Sequence, residues 1–418
     1  MPLNHKDSLR TAFAINIAKL TLLAALAPPV IAGIAERASM LGEGLDTAAI
    51  VATTVSLGSL SAVAGALLLG FLADTGSASS RSRWLWITAA TLVGTAGLIV
   101  LSASESRMTL TVGWMLAQVG YSGAMAVLRV VLADALPEHR RRGAVVVVLG
   151  SYGGLVIPFV LLLLFPTRIW ETTFGLAVLS LAVPLLMITF FSKRTAKISR
   201  IVEEETEPEG RTQTVLLPRA WLLVIQFVAN VVVTVFLSYH QLELAQRNGL
   251  EVPVQATVVI VACAVIGILL STGVLIWKPA LLSRSSRLIA LAGVVLGGSL
   301  LLRATVESFW LIAFAAPLSG VAVGINSSAL FAAALDHARA KHGGKLMGIY
   351  SAAGAAGQIV GPMIALGILY VLNSFGLKTG YSALFMVLAV LPLAWAVLIA
   401  TAKPGHQQDQ LLTNRSSV

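Results

Sequence analysis

The chain is poor in charged residues and almost free of cysteine. Only 11% of its 418 residues are charged, 57% are hydrophobic, and the mean hydropathy is +0.87. So little polar surface cannot cover a water-soluble globule of this length, and a soluble protein is therefore excluded. The single cysteine, Cys263, excludes an internal disulfide and is expected to be a small packing residue.

Long apolar stretches recur along the whole chain, each about 20 residues, the length that crosses a bilayer as a helix. A β-barrel would instead show short alternating segments, and none is found in the sequence. We therefore predict an all-α integral membrane protein with twelve transmembrane helices. The predicted spans are 11–34, 47–73, 84–103, 109–134, 143–165, 170–192, 219–242, 253–277, 287–304, 308–335, 345–372 and 379–401.

Lysine and arginine are distributed unevenly between the two sides of these spans. With the N-terminus inside, most of the 29 basic residues fall in cytoplasmic segments, which predicts cytoplasmic termini in the cell (inner) membrane. The net charge of +10 then attracts anionic membrane lipid, and no nucleic-acid partner is expected. Lys19 and Arg129 fall within spans, and the external loops hold Arg37, Arg107, Arg168, Arg247, Arg303 and Lys378.

A long hydrophilic stretch divides the chain into two halves that echo each other. Span four closes with "GYSGAMAVLRVVLADALPEHRRRG" and span ten with "GINSSALFAAALDHARAKHGG", both rich in small residues and followed by a basic loop. Such duplicated halves are typical of transporters whose substrate lies between them near the membrane midplane. We predict a six-helix bundle at 1–192, a linker at 193–218, a second bundle at 219–402 and a tail at 403–418.

The loop after span two, "GFLADTGSASSRSRW", resembles the loop motif of the major facilitator superfamily, most closely its glycoside and sucrose symporter branch and actinobacterial relatives. The resemblance implies the fold of that superfamily, with two pseudo-symmetric six-helix bundles. It also implies a cytoplasmic gating cluster that latches the outward-facing state, with Arg129 paired to Asp74 or to Asp134. The gating residues are Gly70, Asp74, Arg81, Arg83, Arg129 and Asp134.

Two departures from the family pattern bear on coupling. Gln118 and Gly120 match a span-four motif, but Trp114 stands where many members carry an arginine linked to proton transfer. Drug antiporters carry a proline directly after the second glycine of a motif in span five. In this chain, which has "GSYGGLVIP" there, the proline lies later, at Pro158. No carboxylate falls near the centre of a span, although proton-coupled carriers commonly use one there. Proton coupling would therefore depend on a residue near a helix end, such as Glu36, Asp134, Glu243, Asp336 or His240.

Polar side chains inside the spans are candidates for the lining of a central cavity. Lys19 lies about 13 Å into the first helix, too deep to reach the interface easily. Since no acidic residue is predicted at its depth, Lys19 either is neutral or faces a wet cavity that receives an anionic solute. The predicted substrate-binding residues are Asn16, Lys19, Gln118, Asn230, Asn326, Tyr350 and Gln358.

These observations predict a monomeric secondary transporter that moves a small organic solute by alternating access, without a cofactor or bound metal. Lys19 favours an anionic or acid-bearing solute, and protons are a possible coupling ion. The alternative is efflux of amphipathic drug-like compounds, which would suit the apolar interior. An enzyme is disfavoured because all six histidines lie in loops or near helix ends. A non-transporting receptor is disfavoured because polar side chains in several spans would then line no path.

Overall fold

The computed structural model describes residues 5–75, 80–135, 152–191, 218–248, 254–306, 308–338, 343–376 and 380–401. Within these ranges the chain is helical, and the twelve long helices can be numbered in chain order. The first, α1, consists of His5–Pro28, a π-helical turn at Pro29–Gly33 and Ile34–Leu41. The others are α2 (Leu45–Thr75), α3 (Ser80–Ser102), α4 (Arg107–Ala135), α5 (Val156–Leu164), α6 (Ile169–Phe191), α7 (Arg219–Asn248), α8 (Val254–Trp277), α9 (Ser285–Thr305), α10 (Phe309–Ala338), α11 (Gly343–Ser374) and α12 (Gly380–Thr401).

The interruption of α1 follows from two consecutive prolines. Pro28 and Pro29 have no N–H, so the carbonyls four residues earlier lose their helical donors. The chain forms a π-helical turn at this point and continues as an α-helix from Ile34. The sequence predicts one span ending at 34, whereas the structure extends α1 to Leu41.

Helix packing repeats from the first half of the chain to the second. In the first half α3 and α2 pack against α4, and α6 packs against α1 and α3. In the second half α9 and α8 pack against α10, and α12 packs against α7 and α9. Equivalent helices of the two halves thus make matching pairs, as the predicted pseudo-symmetric fold requires.

Glycine makes the tightest of these helix contacts possible. A Cβ on Gly120 of α4 would overlap the main chain of Gly94 on α3, and a Cβ on Gly320 of α10 would overlap the main chain of Ala264 on α8. Small residues at such crossings allow helices in a membrane to approach closely, where van der Waals contact stabilises them. Equivalent helix pairs in the two halves thus use the same means of packing.

The two halves meet along α2 with α11 and along α5 with α8. An apolar cluster at the second contact joins Ala27 and Ile31 of α1 and Phe159 of α5 to Val258 and Val261 of α8. Contacts of α2 and of the C-terminal part of α1 with α7 add to this interface. Helices α1, α2, α5, α7, α8 and α11 therefore form the described contacts between the halves.

Ten helices of the described chain are long and apolar enough to cross a membrane, namely α1–α3 and α6–α12. The all-α fold and its twelve helices are confirmed, although much of predicted span five (143–165) lies outside the described residues. The assignment of Arg303 to an external loop is wrong, because α9 continues to Thr305 and buries this side chain. The predicted linker (193–218) and tail (403–418) lie almost entirely outside the described residues.

Candidate solute-binding site

A cavity of about 150 Å³ lies between the two halves. Three helices of the first half and two of the second line it, so both halves contribute to its wall. Duplicated transporters likewise build their substrate site between their repeats. The lining residues are Val30, Ile34, Ala35, Val51, Val55, Ser59, Trp114, Gln118, Thr234, Leu237, Ser238 and Gln358.

A chain of amide hydrogen bonds orients the polar wall on the side of the second half. Nδ2 of Asn230 donates to the main-chain carbonyl of Gln226, with a distance of 2.8 Å. Nε2 of Gln358 donates in turn to Oδ1 of Asn230, with a distance of 3.1 Å. Two predicted binding residues are thus brought together, and Gln358 is exposed at the cavity.

The facing wall is built on α4, where Trp114 and Gln118 lie one turn apart and both line the cavity. The indole of Trp114 packs where a Cβ on Gly58 would have to lie, so only glycine at this position of α2 leaves room for it. The indole Nε1 is buried and has no hydrogen-bond partner in the described part of the chain. Oε1 of Gln118 accepts from the hydroxyl of Ser122 at 3.3 Å.

The other predicted binding residues lie elsewhere. Lys19 is buried, with 8% of its surface exposed, and it is not among the residues that line this cavity. It precedes Val30 by eleven residues, which places it roughly 16 Å along α1 from the cavity wall. Asn326 is buried within α10, and its Oδ1 has no partner among the described residues. Tyr350 is buried in α11 with its ring 6.3 Å from that of Phe331.

Two tyrosines that the sequence reasoning did not select connect the halves. The hydroxyl of Tyr239 on α7 donates to the carbonyl of Pro362 at 2.9 Å and lies 3.5 Å from the carbonyl of Ala48 on α2. The side chain of Tyr152, just before α5, hydrogen-bonds with that of Ser327 on α10. A lone tyrosine in an apolar span gives no signal in the sequence that would identify such a contact.

Most of the predicted gating cluster cannot be placed. The side chains of Asp74, Arg81, Arg129 and Asp134 lie outside the described residues. Arg83 is partly buried near the start of α3. A Cβ on Gly70 would meet no atom of the described residues within 4 Å.

A second polar site, also missed, lies inside the second half. Nε of Arg303 on α9 donates to Oε2 of Glu243 on α7 at 2.7 Å, and its Nη2 makes an ion pair with the same oxygen. Both side chains are buried, and the guanidinium lies 5.0 Å from the ring centroids of Phe236 and of Phe385. The aromatic faces and the carboxylate together offset the cost of burying this cation.

His240 belongs to the same cluster. Its ring stacks on Phe236 with centroids 5.5 Å apart, and the side chain is fully buried. Nδ1 lies 3.1 Å from the carbonyl of Leu237, while Nε2 has no partner among the described residues. Since Nδ1 must carry the proton to donate to a carbonyl, Nε2 is left as a bare acceptor.

In the first half an arginine connects the three helices that correspond to α7, α9 and α12. Nη2 of Arg37 on α1 donates to the carbonyl of Ser102 at the end of α3, with a distance of 2.6 Å. Its guanidinium lies 5.4 Å from the ring of Trp170 on α6. In each half one buried or half-buried arginine therefore ties together the first, third and sixth helices.

The sequence profile of the Major Facilitator Superfamily matches residues 11–305, well over half of the chain. The chain belongs to this superfamily. Members of the Major Facilitator Superfamily are membrane transporters rather than enzymes, which confirms the predicted class. Among curated proteins no sequence matches, so the resemblance to the glycoside and sucrose symporter branch stays a prediction.

Solved structures of Major Facilitator Superfamily transporters share the fold. The nucleoside transporter NupG is 12% identical with a TM-score of 0.71, and the alignment covers 93% of this chain and 99% of NupG. The human organic anion transporter MFSD10 is 14% identical with a TM-score of 0.58, covering 92% of this chain and 99% of that one. At these identities the similarity establishes the architecture of the fold alone.

Proposed function

We propose that this chain is a secondary transporter that binds a small organic solute in the cavity between its halves and moves it by alternating access. The observation that carries the proposal is that α1, α2 and α4 from one half and α7 and α11 from the other line a single cavity. A solute bound there contacts both halves, so its binding energy can differ between conformations in which the halves are rocked differently. With cytoplasmic termini, α1 begins at the inner face.

A cross-linking experiment tests the rocking motion. In a Cys263→Ser background, Ala48→Cys with Tyr239→Cys places one thiol on each half at a contact seen in the structure. A short bismaleimide across this pair should abolish solute flux in proteoliposomes.

The matched control is Ser299→Cys with Ser319→Cys, whose hydroxyls are 2.8 Å apart on α9 and α10 of the same half. The same reagent should leave flux through this variant intact. Equal flux through both cross-linked proteins would contradict alternating access by rocking of the halves.

Coupling to protons is part of the proposal, with Glu243 and His240 as the sites to test. Both are buried polar groups in α7. Glu243 forms an ion pair with Arg303, so a proton would compete with the guanidinium for the Glu243 carboxylate. Flux measured with and without a pH gradient decides this, since a solute whose accumulation ignores the gradient is not carried with protons.

A second candidate concerns the charge of the solute. Lys19 is a buried lysine in the membrane-spanning part of α1, and its ammonium form would attract an acid-bearing solute on the side of the cavity where α1 begins. Binding of benzoate that is lost in Lys19→Ala would support this candidate, whereas undiminished binding would refute it.

The gating role of Gly70, Asp74, Arg81, Arg83, Arg129 and Asp134 remains our proposal from the family resemblance. Asp74→Asn should shift the balance between conformations and slow flux without abolishing solute binding, because position 74 is near the end of α2 and Ser59 is the last residue of α2 that lines the cavity. Labelling of an outer-face cysteine with an impermeant maleimide would report this shift.

A further inference from the structure

The polar groups of the inter-half cavity select for one chemical class of solute. Building on the transport function proposed above, we infer that this cavity takes a small uncharged solute that donates an N–H or O–H hydrogen bond to Oε1 of Gln358. The inference depends on how the protein orients the Gln358 amide, on the charge of the lining and on the size of the cavity.

The orientation of the Gln358 side-chain amide is set by the main-chain carbonyl of Gln226, acting through the side-chain amide of Asn230. The main-chain oxygen of Gln226 can only accept, so Asn230 must turn its Nδ2 toward it, at 2.8 Å. Oδ1 of Asn230 then faces Gln358, which must present its Nε2, at 3.1 Å. Oε1 of Gln358 is left as an acceptor with no donor among the described residues.

Gln358 is exposed at the cavity, so its Oε1 is open to a hydrogen-bond donor from the solute. Pro362 lies four residues after Gln358 in α11 and has no N–H, so the main-chain carbonyl of Gln358 also lacks its helical donor.

The opposite wall carries the ring of Trp114, whose indole Nε1 is buried against Gly58 of α2 and is not exposed at the cavity. The hydroxyls of Ser59, Thr234 and Ser238 also line the cavity and can donate or accept. A solute that carries both donors and acceptors, as a cyclic amide or a polyol does, can bond with these hydroxyls as well as with Gln358.

The charge of the lining and the volume of the cavity narrow the class of solute further. Among the described residues that line the cavity none is charged, and a charged solute would lose its hydration there without gaining a counter-charge from them. The volume of about 150 Å³ lies below the range of about 300–1,000 Å³ that is typical of drug-sized ligands. The cavity thus suits a solute of about one substituted ring.

The test is a binding and flux panel on the purified full-length protein. The uncharged donors are uracil, nicotinamide and glucose, and N,N′-dimethyluracil is the matched ring without N–H donors. Benzoate and benzylamine supply the two charges. We expect thermal stabilisation and flux with an uncharged donor, and weaker binding of dimethyluracil than of uracil.

The variants isolate the Gln358 contact. Gln358→Met keeps the length of the side chain without its acceptor and should weaken binding of the uncharged donor about 3- to 10-fold, the effect of one lost hydrogen bond. Gln255→Met removes an exposed glutamine that does not line the cavity and should leave binding unchanged. Equal unfolding temperatures of the two variants show that folding is preserved.

Two results separate this inference from the function on which it rests. Flux of charged compounds only, or uncharged donors that bind Gln358→Met as well as wild type, would overturn the inference while leaving a transporter. A folded protein that neither binds nor moves any compound of the panel would count against the transport function itself.

Discussion

Removing the buried arginine of the second half should destabilise the protein far more than removing an exposed one. Arg303→Met leaves Glu243 as a carboxylate whose side chain is 0% exposed, because the guanidinium that neutralised it is gone. Breaking a buried ion pair from one side costs about 3–5 kcal/mol in the free energy of unfolding. The lost contacts with the rings of Phe236 and Phe385 add about 0.5–2 kcal/mol each.

The double variant Arg303→Met with Glu243→Leu removes both charges and should be more stable than Arg303→Met alone. Apolar side chains of similar volume commonly replace a buried ion pair without loss of stability. Reversible unfolding in mixed micelles of a mild detergent and dodecyl sulfate, followed by tryptophan fluorescence, gives the four free energies of the cycle.

The matched control is the exposed ion pair between Arg107 and Asp46, whose side chains are 58% and 42% exposed. Arg107→Met should cost about 0–1 kcal/mol, since water and salt screen such pairs. If Arg303→Met cost no more than Arg107→Met, or if the double variant lost the full sum of the two single losses, the electrostatic account of this cluster would be refuted.

Two further predictions concern helix contacts. Gly320→Ala should lower the free energy of unfolding by about 1–3 kcal/mol, because the new methyl overlaps main-chain atoms of α8. Gly298→Ala on α9 faces open space and should be neutral or stabilising by up to about 1 kcal/mol; equal effects would contradict the packing argument. Tyr239→Phe removes a hydroxyl that contacts carbonyls of α2 and α11, so it should cost about 0.5–1.5 kcal/mol and increase labelling of a cysteine at the outer end of α7. Unchanged labelling would show that this contact does not hold the halves together.

The helices could be predicted from the sequence because a membrane span must be apolar over a fixed length, and that pattern is local. The prediction was weaker at the ends of the spans, where helices continue past the hydrocarbon. Arg303 was therefore assigned to a loop. In the sequence, a buried arginine near the end of an apolar run cannot be distinguished from a loop arginine that sets membrane topology. Its partner Glu243 lies 60 residues earlier, and only the fold brings the two together.

Part of the candidate site could also be predicted, because a polar side chain in an apolar helix is a local pattern. Gln118, Asn230 and Gln358 stand out as amides in apolar helices, and the structure places Gln118 and Gln358 at one cavity, with Asn230 orienting the latter. Trp114 and the lining hydroxyls could not be found, because tryptophan and serine also occur on lipid-facing or packed surfaces. The depth of Lys19 could be calculated from helix geometry, but the direction of its side chain depends on how α1 packs.

The two arginine arrangements bear on how the cavity could change its access. Arg37 connects α1 to the end of α3 and to α6, and Arg303 connects α9 to α7 and α12. Each therefore fastens the helix that lines the cavity, α1 or α7, to the outer helices of its own half. Within the described chain the halves meet along α2 with α11 and through apolar packing at α5 with α8, with a few hydrogen bonds from tyrosine hydroxyls. Apolar surfaces can slide without leaving a charge unpaired, whereas separation of Arg303 from Glu243 would cost several kcal/mol. Motion should accordingly be concentrated between the halves, and each half should move as a unit around the solute.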